Sequence, residues 1–112
     1  MKTVTVDIVS RGDRKKILFS AEVDTSVGDR FRIKAALEMA VRAGANLAGA
    51  NLAEAYLRGA YLPEANLRGA NLRGAYLPEA NLRGANLRGA NLAVAYLPEA
   101  NLRGAYLPEA NL

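Results

Sequence analysis

From Ala45 onward the residues with usable side-chain chemistry are six arginines and five glutamates, set at regular intervals. Glu79 and Glu99 lie twenty residues apart, each directly after a proline (Pro78, Pro98), as paired carboxylates for acid–base work or cation binding would. Arg68 with Arg88, and Arg83 with Arg103, keep the same spacing and could present guanidinium groups to phosphate. The chain contains no His and no Cys. The usual general base, the commonest metal ligand and any thiolate site are therefore missing. With no nucleophile beside them, the glutamates read as solvated residues at chain corners, and no enzyme, metal site or cofactor is expected. The arginines, interspersed with Glu54, Glu64 and Glu79, read as a mixed surface.

A sequence pI near 9.7 invites a nucleic-acid reading, so the position of the charge matters. Residues 1–44 carry nine Lys/Arg against six Asp/Glu, and residues 45–112 carry six against five, which is +3 and +1. The longest basic run is Arg14–Lys16, which suits a solvated hairpin turn better than a phosphate contact, and nucleic acid is not expected as a partner. No stretch reaches the ~18 apolar residues of a membrane span, and the lack of Cys argues for no oxidising compartment. The expectation is a cytoplasmic chain without a membrane partner.

The chain divides at Gly44. "TVTVDIV" (Thr3–Val9) alternates, with Val4, Val6 and Ile8 on one side, and "ILFSAEV" (Ile17–Val23) is a second β-rich run. The intervening "SRGDRKK" supplies turn residues, so the two runs together predict a hairpin with one face to cover. Ser26 or Asp29 is the candidate N-cap of a following helix. Ile33, Leu37, Ala40 and Val41 form its apolar stripe, with Lys34, Glu38 and Arg42 on the opposite face and Gly44 at its end. Residues 1–44 are thus expected to be a hairpin plus capping helix, and residues 45–112 a repeat array.

Fourteen pentads fill the array, each with Ala, then Asn or Tyr, then Leu. A period of five drifts around a helix, and the Asn, Gly and Pro content would break one. In an extended segment Ala and Leu point to one side, and Asn or Tyr to the other. The next two residues must then turn the chain. Pentads four apart agree in their Asn/Tyr choice in 8 of 10 pairs, against 5 of 11 three apart and 3 of 9 five apart. Four pentads per coil would stack Tyr56, Tyr76 and Tyr96 into one ladder and Asn51, Asn71, Asn91 and Asn111 into another, with hydrogen bonds among the Asn side chains along the coil axis. Tyr56, Tyr76 and Tyr96 are the candidate interaction surface, although strand preference and packing on neighbouring rungs also account for them. Corners with Gly third ("LRGA") predict type II turns. Corners at Glu54, Glu64, Glu79, Val94, Glu99 and Glu109 predict type I or irregular turns, because L-residues avoid positive φ.

The pattern resembles the pentapeptide repeat family, A(D/N)LXX, over Ala45–Leu112, with Tyr as a departure at five positions. "LFSAEV" and "AALEMAVRAGANL" are similar to the leader of bacterial and bacteriophage members, and the regularity is also that of a consensus-designed chain. The resemblance implies an all-β solenoid, a right-handed quadrilateral β-helix of about 3.4 coils behind the hairpin and helix cap. The function expected is a non-catalytic structural or protein-interaction scaffold with an unidentified protein partner. The alternative implied by the family is a DNA-mimic binder of a type II topoisomerase, which calls for an acidic surface that this array lacks. An uncapped last coil, with Tyr106, Leu107, Asn111 and Leu112, is the candidate end-to-end interface of a homo-oligomer.

Overall fold

In a computed structural model that describes residues 2–112, the N-terminal hairpin pairs β1 (Thr3–Val9) with β2 (Ile17–Asp24) in an antiparallel sheet, with a bulge between Ile8 and Val9. Alternation sets the faces. Ile8, Ala21 and Val23 are buried, while Thr3, Thr5 and Glu22 are exposed and joined by hydroxyl-to-carboxylate hydrogen bonds of 2.8 and 2.6 Å. These two hydroxyls, Thr5 first, hold the Glu22 carboxyl below the ordinary glutamate range.

The helix α1 (Asp29–Arg42) covers the hairpin's apolar face with Ala36, Leu37 and Ala40, all fully buried. Neither expected N-cap is used. Gly28 occupies that position with no side-chain bond, and Asp29 instead pairs with Arg32 at 2.9 Å. The C-terminus closes as a Schellman motif: Gly44 has φ +71°, Gly44 N–H donates to Val41 C=O, and Ala45 N–H donates to Ala40 C=O, both at 3.0 Å.

The structure departs from the expected all-β solenoid, a right-handed quadrilateral β-helix. Among the described residues the strands are β1 and β2 alone, one helix accompanies them, and the pentads contribute turns and single-residue bridges with no strand. The molecule is compact, not elongated, at 41 × 29 × 24 Å with a radius of gyration of 12.9 Å. Each pentad gives two of its residues to a turn and leaves only Asn or Tyr with both backbone groups paired sideways, too short a run for a strand. At ~4.8 Å per layer, so few layers amount to a stack no longer than it is wide.

Within that globule the backbone register has a period of twenty residues. Parallel bridges join Asn46 to Asn66, Tyr56 to Tyr76 and so on through Asn91 to Asn111. The Ala and Leu of each pentad face inward, and from Leu47 to Leu92 every Leu is at most 3% exposed. The same core contains Ile8, Val23, Leu37 and Ala40, so hairpin, helix and pentads share one apolar interior.

The hairpin and helix bond to the first layer of pentads as a preceding layer would. Asn51 N–H donates to Val9 C=O at 2.8 Å, Arg11 N–H donates to Gly49 C=O at 2.7 Å, and Tyr61 N–H donates to the Glu38 carboxylate at 2.8 Å. Glu38 was expected on the solvent face of α1. It sits instead at the junction, 3.6 Å from Lys34, because an otherwise unpaired N–H of the first layer faces it.

The corners overturn the expectation of two turn classes. All thirteen are closed by an Ala N–H donating to the Leu C=O three residues earlier, and φ is positive at Glu54, Glu64, Glu79, Val94, Glu99 and Glu109 as well as at the glycines. With positive φ only at the third position, every corner is type II. The reason is tertiary. In each column of corners the central peptide lies along the stack, as where Glu64 N–H donates to Arg83 C=O (2.7 Å) and Gly84 N–H to Arg103 C=O (2.9 Å). A type I corner would flip that peptide and lose both its donor and its acceptor bond. Two bonds at about 0.5–1.5 kcal/mol each offset the ~1–2 kcal/mol of a left-handed L-residue.

Candidate functional site

The outward positions carry whatever recognition this protein performs, and they fall into two kinds. Where the pentad has Asn, its Oδ1 accepts the backbone N–H two residues on, as at Asn46–Ala48 (3.0 Å), Asn71–Arg73 (3.1 Å) and Asn101–Arg103 (3.0 Å). This local bond is the main work of the Asn residues. Among the described residues, the expected bonding along the axis occurs only between Asn66 and Asn46 (2.9 Å) and between Asn111 and Asn91 (3.5 Å). Where the pentad has Tyr, the residue two on is Pro63, Pro78, Pro98 or Pro108, and only Tyr56 precedes an N–H donor, Arg58. Proline has no N–H to satisfy. The position is then free for a residue that cannot cap, which makes Tyr–Leu-Pro a compensated unit.

The predicted aromatic residues are brought together. Tyr56 and Tyr76 stack with ring centroids 5.0 Å apart, and Tyr76 and Tyr96 at 5.3 Å with planes 9° apart. Sequence reasoning missed that the column continues into the cap. Phe31 of α1 meets Tyr56 edge-on at 5.5 Å, and the Arg30 guanidinium lies 4.8 Å from the Tyr56 ring centroid. A Phe two residues after the helix start, exposed on a helix otherwise apolar on one stripe, was the available signal. The column therefore runs from the helix across three layers, flanked by an Arg58–Glu79 pair at 3.3 Å. The Glu79 carboxylate accepts a hydrogen bond from Arg58 and raises its pKa further above the ordinary arginine value.

Glu79 and Glu99 do not form an acid–base pair. Glu79 is occupied by Arg58, and no group of three or more His, Cys, Asp or Glu able to hold a metal ion lies among the described residues. Tyr106, Leu107, Asn111 and Leu112 lie in the last layer. Tyr106 bridges Asn86, Asn111 donates its N–H to Ala90 C=O at 2.8 Å, Leu107 is half-buried, and Leu112 is 74% exposed. No helix among the described residues is long and apolar enough to cross a membrane.

This combination of Ala/Leu interior, uniform corners and a twenty-residue backbone register defines a repeat protein built from five-residue units. Pentapeptide repeats, in eight copies, match residues 43–77 and 75–112, and the chain belongs to the pentapeptide repeat family. Among solved structures it is similar to a pentapeptide repeat protein, Rfr23, from the cyanobacterium Cyanothece 51142, at 47% identity and a TM-score of 0.54. That likeness covers 55% of this chain and 42% of the cyanobacterial one, so the match spans less than half of that protein's length. None of the curated proteins matches. Members of the family are generally non-catalytic.

Proposed function

We propose that this chain is a non-catalytic protein-interaction scaffold, with residues 1–44 as its cap and residues 45–112 as its repeat array. The observation that carries the reading is the aromatic column Phe31–Tyr56–Tyr76–Tyr96, which crosses from the cap onto the array and ends in Tyr96, 55% exposed. Stacked rings offer large contact area at little conformational cost. Charge alternates around them, with Arg58 tied to Glu79. The topoisomerase alternative has little support, because the array's six arginines against five glutamates do not make an acidic, duplex-like surface. The test is affinity capture followed by crosslinking, comparing the parent with a Tyr56→Asn/Tyr76→Asn/Tyr96→Asn variant. Loss of the captured partner with an unchanged circular dichroism spectrum supports the reading. A partner retained by the triple variant, or inhibition of a supercoiling assay by the parent, refutes it.

The same reading extends to self-association through the last layer. Leu97, Leu102 and Leu107 are only half-buried, and Tyr106 and Leu112 are exposed. The expected outcome is a mass that rises with concentration in sedimentation and falls back to that of the monomer in Leu107→Glu. A monomer at all concentrations refutes it.

A further inference from the structure

Arginine pairing in the array follows a spacing rule. Arg58 binds Glu79 at 3.3 Å and Arg88 binds Glu109 at 3.0 Å, so an arginine at a corner finds a carboxylate when glutamate stands twenty-one residues later. Arg83 has Gly104 at that position. Among the described residues, neither Arg83 nor Arg103, which share one corner column, lies within 4.0 Å of a carboxylate oxygen. This column holds two unpaired guanidinium groups in successive layers.

The two arginines border a groove of about 580 Å³ on the outer surface, together with Tyr61, Glu64 and Asn81. The groove exists because the third corner positions above Glu64 are Gly84 and Gly104. A Cβ on Gly84 would come within 3.1 Å of Glu64 Cγ, whose side chain leans over that glycine, whereas a Cβ on Gly104 would meet only Gly84 backbone atoms at 3.9 Å, so the column is open above Glu64. Tyr61, 57% exposed, supplies a ring at one end of it. Along the stack the order is ring and carboxylate in the first layer, then one guanidinium in each of the next two. Two layer steps span roughly 10 Å.

We propose that this groove binds a nucleoside monophosphate. The base stacks on Tyr61, a sugar hydroxyl donates to the Glu64 carboxylate, and the phosphate is bridged by Arg83 and Arg103. A phosphate dianion suits two guanidinium forks a layer apart, because its oxygens accept from both. The volume fits a small-molecule site. The site lies on a different face from the Tyr56–Tyr76–Tyr96 column and stands or falls apart from it.

The test is titration of the full chain with AMP, inorganic phosphate and adenosine, read by shifts of the arginine side-chain N–H and Tyr61 resonances. AMP should bind more tightly than phosphate, and adenosine least. Arg83→Gln/Arg103→Gln should weaken AMP at least about tenfold, as loss of charge-assisted bonds does. Tyr61→Ala should bring AMP down to the level of phosphate and leave phosphate unchanged, whereas Arg68→Gln should alter neither. All four arginine and tyrosine side chains are exposed, and unchanged melting of the variants confirms that the fold is intact. The proposal is overturned if adenosine binds as well as AMP, if the double arginine variant binds normally, or if Arg68→Gln weakens AMP as much as the double variant does.

Discussion

Val94 is the corner residue with the least reason to be where it is. It is β-branched, its φ is +52°, and it is 75% exposed. The corners below it in the column are Glu54 and Gly74, and Gly74 N–H donates to Ala93 C=O at 2.9 Å, which is the bond that holds the Ala93–Val94 peptide in its type II orientation. Replacing Val94 by Asn keeps a side chain that tolerates the left-handed region and relieves about 1–2 kcal/mol of backbone strain. The quarter of Val94 that is covered forfeits roughly 0.4–0.7 kcal/mol of burial, scaled from about 1.5–3 kcal/mol for a whole side chain. The net is a stabilisation of about 0.5–1.5 kcal/mol, or roughly 2–6 °C in Tm for a chain of this size. Val94→Ala removes the same contacts but lacks the carboxamide with which Asn hydrogen-bonds locally in the left-handed region, so the difference between Asn and Ala reads the strain at positive φ. Thermal unfolding followed by circular dichroism, with urea midpoints as a second reading, should rank Asn above Ala. If Val94→Asn melts at or below Val94→Ala, the strain argument and the account of uniform corners are both wrong.

The interior gives a larger effect of opposite sign: Leu77 is fully buried, and Leu77→Ala should cost about 2–5 kcal/mol in urea unfolding. Leu107→Ala, at a half-buried position, should cost clearly less. Asn71 accepts the Arg73 N–H at 3.1 Å, so Asn71→Ala should lose about 1 kcal/mol. Tyr76→Asn should gain no such bond, because Pro78 offers no N–H. The Glu22 carboxyl is held low in the folded state by Thr5 and Thr3, so its contribution is present above the ordinary glutamate range and is lost as pH falls through and below it. Melting of the parent should therefore drop more steeply than that of Glu22→Gln over that acid window, and parallel curves would contradict it.

Much of the local order was legible in the residues. The strands Thr3–Val9 and Ile17–Asp24 follow from alternation, the end of α1 from Gly44, and the inward Ala and Leu from their spacing of two, because each depends on neighbours a few residues away. The register of twenty could be counted from Asn and Tyr, since side chains in adjacent layers lie close enough to select one another. What reading residue by residue could not supply was anything decided by the layer above or below.

Local propensity gave Glu54 and Val94 ordinary right-handed corners, and the hydrogen bonds of the stack overrode it. Glu38 looked like a solvated helix residue until the first layer put the Tyr61 N–H against it. Phe31 lies outside the stripe of Ile33, Leu37, Ala40 and Val41, and only the docked helix puts it on Tyr56. The pattern of pentads suggested short strands wound into an all-β solenoid. Each pentad leaves too few residues outside its turns to make a strand, and only the packed layers on their hairpin and helix show a compact molecule. The sequence by itself determined which side chains face inward and how often the chain turns, because those depend on the geometry of one or two residues. Tertiary structure alone decided the sign of φ at each corner, the partner of each N–H and the surface on which Tyr and Arg meet, because those depend on residues twenty positions apart being held in register.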